Sequence, residues 1–549
     1  MPTPNTKPWS RLLFPLVAAA GFLPGLSQGE ELRAGKLAVE IDPAFPRLIR
    51  YTTDLGTLDG QTAPVAIAEL NGAKANCLVT FKKINAGTAE YQLAFPDAAI
   101  EITLRVTVAE NAVELRVTRI KENGATKLKT FAFPGNALLT LGSAQPDAAI
   151  ATAYGVGYGN LREKLGPLAA QKPVSETANY AFVSAGKLAA GIWSNHIDDH
   201  QRISYQIAEK DGEITFAAAN PLWQYREIDT ETVPLPWVKV FVTGDRNGDG
   251  IANWQDAALV QRALTPKPLG SEFVKTTVGE NIAMDFASGA QQPFLNILDK
   301  IKKCYLATDG LGQQVTIKGF SSEGHDSANT DYAGHWNERA GGLRDLNVLL
   351  DQAGQYNARV GIHINVTEAY PEAQRFLPDT ILQRDGNGNL CGGWYWLDSS
   401  SLIDKRKDLL TGELFKSLEQ MRADLPKLDY VYVDVYGDHG WNSWKFGSKL
   451  NELKLPIHTE YSTVFDPRTT WSHWRVGGEI LCFLWYSDRD LFNNDPILRG
   501  GHGGDDGFMG WQSQHNFNNF VRNTFTRHLP AKYLQHFELL RWQPGKEAT

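Results

Sequence analysis

The chain has 549 residues, of which 42% are hydrophobic and 21% charged, and its formal net charge is −8 with a pI near 5.9. This length is too great for one ordinary domain and predicts two or three. The acidic balance provides no basic field, which argues against nucleic acid and other polyanions as partners.

Residues 1–29 have the features of an export signal. Lys7 and Arg11 precede the short apolar run LLFPLVAAAGFLPGL, which prolines and a glycine interrupt. The run is too short and broken for a stable membrane span, and no other segment approaches the about 18 apolar residues that a spanning helix needs. We therefore predict a cleaved signal peptide and a secreted, periplasmic or cell-surface protein. An N-terminal membrane anchor is the alternative interpretation.

Residues 30–243 are predicted to form a β-sandwich domain of the supersandwich type. In IEITLRVTV, apolar residues at every second position from Ile100 to Val108 alternate with polar ones, and the alternation resumes after the turn AENA. Period-two alternation indicates an antiparallel hairpin with one face in water. Similar short runs follow at turn-separated intervals, as in a large sandwich. No catalytic pattern is present in this part.

Residues 244–272 are predicted to be a connector that begins with a calcium-loop pattern, GDRNGDGIANWQD. Asp245, Asn247 and Asp249 stand at positions 1, 3 and 5 of such a loop, Ile251 would offer its carbonyl at position 7, and Asp256 falls at position 12. The pattern predicts one structural Ca²⁺ and no cofactor for catalysis. The alternative is an acidic turn that caps the following helix.

The four cysteines, Cys77, Cys304, Cys391 and Cys482, are scattered and lack metal-ligand spacing. They predict no zinc site, and one disulfide is compatible with export. Tryptophan is concentrated near the C-terminus, with nine of 15 in the last 160 residues. Core packing explains part of this crowding. Stacking on sugar rings explains it better, because an aromatic face suits the apolar C–H face of a pyranose.

From residue 273 to 549, short apolar strands alternate with helical segments. The predicted strands are NIAMDFAS, VTIKGF, RVGIHINV, YVYVDVYG, PIHTEY, ILRGG, GFMGW and KYLQHF. Strand–helix repetition with apolar strands is typical of a parallel sheet, and about eight such units predict a (β/α)₈ TIM-type barrel. An open doubly wound sheet is the alternative, although no GxGxxG motif follows a first strand.

Two carboxylates stand at consecutive strand ends of this predicted barrel. Asp434 ends YVYVD, and Glu460 follows 26 residues later in PIHTEY. In a barrel the carboxyl ends of the strands carry the catalytic groups, so both side chains should face one cavity. Glycoside hydrolysis requires such a pair, one as nucleophile and one as proton donor. Acids at strand ends also bind metals or cap helices, so the spacing alone leaves these alternatives open.

Other strand ends add polar and aromatic groups to the same rim. KGFSSEGHDS contributes His325 and Asp326, RVGIHINV contributes His363, and KYLQHF contributes Gln535. We expect them to form a network with sugar hydroxyls. Trp394 and Trp396 lie two apart after Gly392 and Gly393 and are interpreted either as a mobile lid or as loop anchors.

The motifs KGFSSEGHDS, GIHINVTEAYPEA, GGWYWLD, YVYVDVYG, IHTEYS and LQHF, in this order and spacing, resemble those of glycoside hydrolase family 101, the endo-α-N-acetylgalactosaminidases. The resemblance covers most of residues 30 to 540. It implies a retaining enzyme that releases galactosyl-β1,3-N-acetylgalactosamine (core 1) from Ser or Thr of mucin-type glycoproteins. Family members usually continue into further β-sandwich and carbohydrate-binding domains, which the 549 residues do not include.

Carried over by motif, the resemblance makes Asp434 the nucleophile and Glu460 the general acid/base. Asp326, His363 and Gln535 would contact the sugars, and Trp394 with Trp396 would form the lid. Two alternatives remain from the residues themselves: a retaining α-glycosidase with another sugar preference, and a non-catalytic glycan-binding protein that keeps the tryptophan-rich cleft.

Overall fold

The computed structural model describes residues 29–549 except residues 157–159, 199–200, 221, 287–289, 326–329, 395–398, 462, 475–477, 492–496, 499–506, 512–513 and 544–546. Its N-terminal part is almost entirely β-structure. The strands are β1 (Glu30–Ala34), β2 (Leu37–Ile41), β3 (Leu48–Thr53), β4 (Gly56–Asp59), β5 (Ala68–Leu70), β6 (Ala73–Ala75), β7 (Leu78–Asn85), β8 (Thr88–Phe95), β9 (Ile100–Val108), β10 (Ala112–Glu122), β11 (Thr130–Ala132), β12 (Leu139–Gly142), β13 (Ala149–Val156), β14 (Asn160–Pro167), β15 (Val174–Ala178), β16 (Tyr180–Ala185), β17 (Leu188–Ser194), β18 (Ile203–Lys210), β19 (Glu213–Ala219), β20 (Trp223–Gln224) and β21 (Trp237–Thr243).

Two large antiparallel sheets and a smaller one make up this part. The sheet orders are β1-β2-β3-β4-β12-β19-β18-β15, β14-β13-β16-β17-β21-β10-β9-β8-β7 and β20-β11-β5-β6. Alternate residues of β9 are buried, and Val113 of β10 stands opposite Val108, so the predicted hairpin is confirmed. Residues from both large sheets, such as Val39 and Ile102, belong to one hydrophobic core, because each sheet buries one apolar face against the other.

The second half of the chain alternates helices with parallel strands. Its strands are β22 (Thr277–Met284), β23 (Gly312–Lys318), β24 (Ala358–Asn365), β25 (Glu368–Ala369), β26 (Ser401–Leu402), β27 (Tyr430–Asp434), β28 (Ile457–Tyr461), β29 (Thr469–Trp474), β30 (Asp490–Leu491), β31 (Trp542–Gln543) and β32 (Glu547–Ala548). The α-helices are α1 (Trp254–Leu264), α2 (Phe294–Ala307), α3 (Gly342–Ala353), α4 (Lys405–Thr411), α5 (Glu413–Asp424), α6 (Trp441–Glu452), α7 (Glu479–Trp485), α8 (Phe517–Asn523) and α9 (Leu529–Gln535), with a π-helical turn at Thr524–His528 between the last two.

Seven strands form one parallel sheet in the order β22-β23-β24-β27-β28-β29-β30. Its side chains alternate between two environments. Val315 and Val431 pack against the helices. On the other face, Thr316 Oγ1 lies 3.0 Å from Tyr430 OH, although β24 separates their strands. Gly361 of β24 makes room for this contact, because a Cβ there would lie 2.2 Å from the Tyr430 ring.

The sheet is strongly curved. Trp471 of β29 donates its Nε1–H to both carboxylate oxygens of Glu280 on β22, at 2.8 and 3.0 Å, although four strands lie between them in the sheet order. Lys532 of α9 connects the two edge strands of the sheet. It donates to Asp490 of β30 at 2.5 Å and to the carbonyl of Val274, just before β22, at 2.6 Å. The inner face of the sheet therefore encloses polar and aromatic side chains.

The predicted eight-stranded closed barrel is not what the described residues show, since they contain seven parallel strands. KYLQHF lies mostly in helix α9 and is not a strand. The burial of Ala531, Lys532 and Gln535 follows a helical spacing, and Pro530 lies in the first turn of the helix. Short apolar runs do not separate strand from helix by periodicity.

Two further strand predictions also differ from the structure. In GFMGW, Gly510 makes an isolated antiparallel bridge with Ala283 and no regular strand. In ILRGG, Ile497 and Leu498 lie in a turn and the remaining residues are outside the described part. Instead TTWSHW, whose polar residues hide its strand character, forms β29.

The four cysteines are free thiols, so the possible disulfide is not formed. Among the residues that the structure describes, no helix is long and apolar enough to cross a membrane.

Candidate active site

Asp434 and Glu460 are brought together by strand pairing. Asp434 ends β27 and Glu460 lies in the adjacent parallel strand β28, where Val433 stands opposite Thr459. The next residue, Val435, donates its N–H to Glu460 Oε2 at 2.9 Å. It does so with a φ of 45°, which a β-branched residue rarely adopts. Such local strain is typical of functional sites, and here it turns the backbone toward the second carboxylate.

Asp434 is surrounded by donors. His363 Nε2 lies 2.8 Å from Oδ2, Tyr432 OH donates to Oδ1 at 3.0 Å, and the Lys318 ammonium stands 3.5 Å from Oδ2. Burial alone would raise the pKa of Asp434, but the Lys318 charge and the His363 hydrogen bond outweigh it and hold that pKa well below its ordinary value. Asp434 is therefore an anion near neutral pH.

Glu460 has the opposite electrostatics. Burial, reinforced by the negative charge of Asp434, raises the pKa of Glu460 to about 7, although the Val435 N–H and Lys318 act against the rise. Glu460 therefore retains its proton in a large fraction of molecules near neutral pH. Two carboxylates whose pKa values are driven apart by their surroundings are suited to different roles, one as the anion and the other as the proton donor.

Three histidines line the same region. Burial lowers the pKa of His363 and of His473, and Lys318 adds to this effect, so that both pKa values are about 4. Burial also holds the pKa of His325 well below its ordinary value. The His325 ring packs edge-on against His363, with 4.8 Å between centroids. All three rings are therefore neutral near pH 7, and His363 serves Asp434 as a hydrogen-bond donor.

Two residues that the sequence analysis did not single out belong to this site. Lys318, the last residue of β23, is 3% exposed, and its Nζ lies 4.4 Å from the centroid of the Trp511 ring and 5.5 Å from that of Tyr432. The sequence feature that could have identified both residues is the period-two alternation of side chains along each strand. Tyr432 precedes Asp434 by two positions and shares its face, and Lys318 ends the neighbouring apolar run VTIK.

The remaining predicted sugar contacts have different outcomes. Asp326 and Trp396 lie outside the described residues. Trp394 is 59% exposed, and its carbonyl accepts a hydrogen bond from Ser400 Oγ across its loop. Gln535 is not near the carboxylates. It is buried in α9, and its Nε2 donates to the carbonyls of Tyr486 (3.0 Å) and Arg489 (3.5 Å), at the amino ends of the strands.

The predicted calcium ligands lie in one loop before α1; they are Asp245, Asn247, Asp249, Ile251 and Asp256. Asp256 is fully buried, and its two oxygens accept the N–H groups of Arg246 (2.7 Å) and Asn253 (2.8 Å) as part of a capping box. Asp249 pairs with Arg541 at 3.2 Å. Within the described residues no group of three or more His, Cys, Asp or Glu side chains is arranged to hold a metal. Helix capping explains this conformation, and calcium binding stays a prediction.

A paired anion and proton donor at the carboxyl ends of adjacent parallel strands is the arrangement that glycoside hydrolases use. Comparison with known proteins agrees. Residues 255–521 match the family model described as endo-α-N-acetylgalactosaminidase, glycoside hydrolase family 101, and residues 32–254 match a galactose mutarotase-like fold domain. A putative endo-α-N-acetylgalactosaminidase of Renibacterium salmoninarum is 33% identical over 97% of this chain. The chain belongs to glycoside hydrolase family 101.

This chain spans 37% of the length of that relative. Solved structures share the fold at low identity. The α-N-acetylgalactosaminidase NagBb of Bifidobacterium bifidum, as its GalNAc complex, has a TM-score of 0.53 at 13% identity over 93% of this chain and 94% of its own. The family 36 α-galactosidase AgaA of Geobacillus stearothermophilus has a TM-score of 0.59 at 11% identity, over 94% and 88%.

Proposed function

We propose that this chain is a retaining endo-α-N-acetylgalactosaminidase that releases galactosyl-β1,3-N-acetylgalactosamine from Ser or Thr of mucin-type glycoproteins. The observation that carries the proposal is the opposed electrostatics of Asp434 and Glu460 on neighbouring strands, in a chain of family 101. The putative activity of the Renibacterium relative supports the choice of sugar.

The proposal gives each carboxylate its own role, which the hydrogen bonds and charges around it support. Asp434, ionised and oriented by His363 and Tyr432, attacks the anomeric carbon while the bond to the Ser or Thr oxygen breaks. Glu460 gives its proton to that leaving oxygen. A water molecule then attacks the glycosyl ester, transfers a proton to Glu460 and frees Asp434, so that two inversions leave the configuration unchanged.

The test is incubation with a core-1 O-glycoprotein, followed by identification of the released glycan and of its anomeric form before mutarotation. We expect the intact disaccharide, released as the α-anomer. Aryl α-glycosides with and without the outer galactose form the second arm. Turnover of the monosaccharide only would favour the α-glycosidase alternative, and binding without turnover would favour the non-catalytic one.

The same proposal includes three features beyond the chemistry. We infer that the curved parallel sheet closes as a TIM-type barrel, which the Trp471–Glu280 contact across its interior supports. We infer that residues 1–29 are removed during export to a location where mucin-type glycoproteins are accessible, which sequencing of the mature N-terminus would test. We also infer that the aromatic loop at Trp394 closes over the bound sugar.

A further inference from the structure

Lys318 stands at a position where its charge acts on both carboxylates. Its side chain is 4% exposed and lies 3.5 Å from Asp434 Oδ2. The same charge also acts on Glu460, whose pKa it lowers. A buried ammonium is costly unless it is paired, so its presence here requires an explanation.

Asp434 is the carboxylate with which Lys318 forms an ion pair. The titratable groups that face Asp434 come from several elements: His363 from β24, His325 from the loop after β23, Tyr432 from β27, Glu460 from β28, His473 from β29 and Glu368 from β25. The three histidines are neutral near pH 7, because burial lowers the pKa of each. Burial raises the pKa of Glu368, and Asp434 raises it further. Within the part of the chain that the structure describes, Lys318 is the cation placed against Asp434.

Two aromatic rings, those of Trp511 and Tyr432, fix the position of the Lys318 ammonium. Nζ lies over the rings of Trp511 and Tyr432, and Tyr432 in turn donates to Asp434. Cation–π contacts hold an ammonium without neutralising it, so the full charge remains available to the carboxylates.

We propose that Lys318 is a positioning residue that acts in both halves of the reaction: it holds Asp434 as the anion before attack, and it makes Glu460 the base once Asp434 is esterified. The inference rests on the proposed function and adds a residue to it. In the first half, Lys318 pairs with Asp434, and the Asp434 charge keeps Glu460 protonated.

In the second half the charges change without any movement of Lys318. The glycosyl ester of Asp434 is neutral, so it no longer opposes ionisation of Glu460. The positive charge of Lys318 then acts on Glu460 alone and lowers its pKa, which favours the carboxylate that must accept the proton of the attacking water. One fixed cation therefore helps Glu460 to serve first as acid and then as base.

The test compares Lys318→Met, which keeps the stem but removes the charge, with Lys318→Arg and with the wild-type chain. The pH profile of kcat/KM is measured on a Ser-linked core-1 glycopeptide, because its alkoxide leaving group needs the Glu460 proton, and an activated aryl glycoside of the disaccharide serves for the second readout below. An opposite charge at this distance shifts a carboxyl pKa by about one to three units. We expect the apparent pKa of the acid limb to increase by a shift of this size in Lys318→Met, and the apparent pKa of the basic limb to increase as well. In Lys318→Arg both apparent pKa values should stay near those of the wild-type chain.

A second readout concerns the ester intermediate. Glu460 should remain protonated in Lys318→Met, so hydrolysis of the ester should slow. We expect more glycosylated enzyme in acid-quenched steady-state samples by intact mass, and azide, which needs no base, should remove the excess. Lys303→Met is the matched control, because Lys303 Nζ also lies over an aromatic ring (Phe517, 3.9 Å) but belongs to α2.

The outcomes separate this inference from the proposed function. If the wild-type chain is active and both pH limbs of Lys318→Met lie at the wild-type positions, the role of Lys318 is overturned and the proposed function stands. This holds even if the plateau rate of Lys318→Met is lower. Equal shifts in Lys318→Met and Lys303→Met would also overturn it. Failure of the wild-type chain to cleave any α-glycoside would overturn both.

Discussion

At the scale of single residues, Asp434 and Glu460 should fail in different ways when truncated. Asp434→Ala removes the group that forms the ester and should abolish turnover with every leaving group. Glu460→Ala should slow release of Ser- and Thr-linked glycans by about 10²–10⁴-fold, because their alkoxide needs a proton. An activated aryl glycoside should lose less in its first step, and azide should accelerate the second.

Kinetics of both variants on both substrates would check this. Near-normal activity of Asp434→Ala would contradict the assignment and return both acids to a capping role of about 1 kcal/mol each.

The pH dependence of the wild-type chain is a separate residue-scale prediction. The pKa of Glu460 is raised to about 7, and the protonated form is the catalyst, so kcat/KM should fall as pH rises through about 7. The pKa of Asp434 is held well below its ordinary value, so the acid limb should lie below the usual range of an aspartate. A profile of kcat/KM against pH, measured over the range in which the protein remains folded, checks both limbs. A basic limb that persists in Glu460→Gln would show that another group controls it.

At the scale of elements, the loop between β25 and β26 carries the predicted lid. Gly393 packs against Glu368, where a Cβ would lie 2.6 Å from Glu368 Cγ, so the loop is anchored next to the end of β24. Trp394→Ala and Trp396→Ala should each reduce kcat/KM by at least about two- to tenfold, since aromatic contacts of this kind contribute about 0.5–1.5 kcal/mol beyond area burial.

Phe537→Ala is a suitable control for the lid, because Phe537 is similarly exposed (55%) but follows α9, at the far end of the strands. Normal kinetics in both tryptophan variants would make them loop anchors, the alternative interpretation.

The loop before α1 provides the second prediction at this scale. If it binds calcium, a chelator should lower the melting temperature and calcium should restore it, because a ligand of the native state contributes about 2.7 kcal/mol at a hundredfold excess over Kd. Asp249→Ala should remove the response. Asp385→Ala is the matched control, since Asp385 also accepts backbone N–H groups in an exposed turn. A melting temperature that neither chelator nor calcium changes would contradict calcium binding, and the loop would then serve as a helix cap only.

At the scale of the whole molecule, a buried ion cluster joins the two halves of the chain. Asp466, in the segment after β28, accepts from Arg202 at 2.6 Å and from Arg489 at 2.5 Å, and Tyr180 of β16 donates to it at 2.8 Å. Asp466 is 1% exposed. Ile197 and Val233 of the N-terminal half also belong to the core that packs around the parallel sheet. The β-rich domain is therefore part of the catalytic unit.

This cluster predicts a large loss of stability on truncation. Asp466→Ala leaves two arginines buried without their partner and should cost about 3–5 kcal/mol of unfolding free energy. Burial opposes ionisation, but Arg489 and Arg202 lower the pKa of Asp466 to about 2. The stability it contributes is therefore present above the unfolded pKa, about 3.9, and is lost as pH falls through about 2.

Denaturant unfolding measures this effect, and Arg50→Ala is the control, because its pairing with Asp59 is exposed and is expected to contribute about 0–1 kcal/mol. Equal losses in the two variants would show that the cluster does not hold the halves together.

The sequence by itself determined the elements whose patterns are local. The alternation in IEITLRVTV specifies a hairpin, and Asp434 and Glu460 were found because a strand end is visible in the chain. The tertiary structure alone decided which side chains meet across the sheet. Lys318 reaches Asp434 from a strand more than 100 residues earlier, and Gln535 turns away because KYLQ packs as a helix. Burial and charge set the two pKa values, and both depend on neighbours that no local pattern specifies.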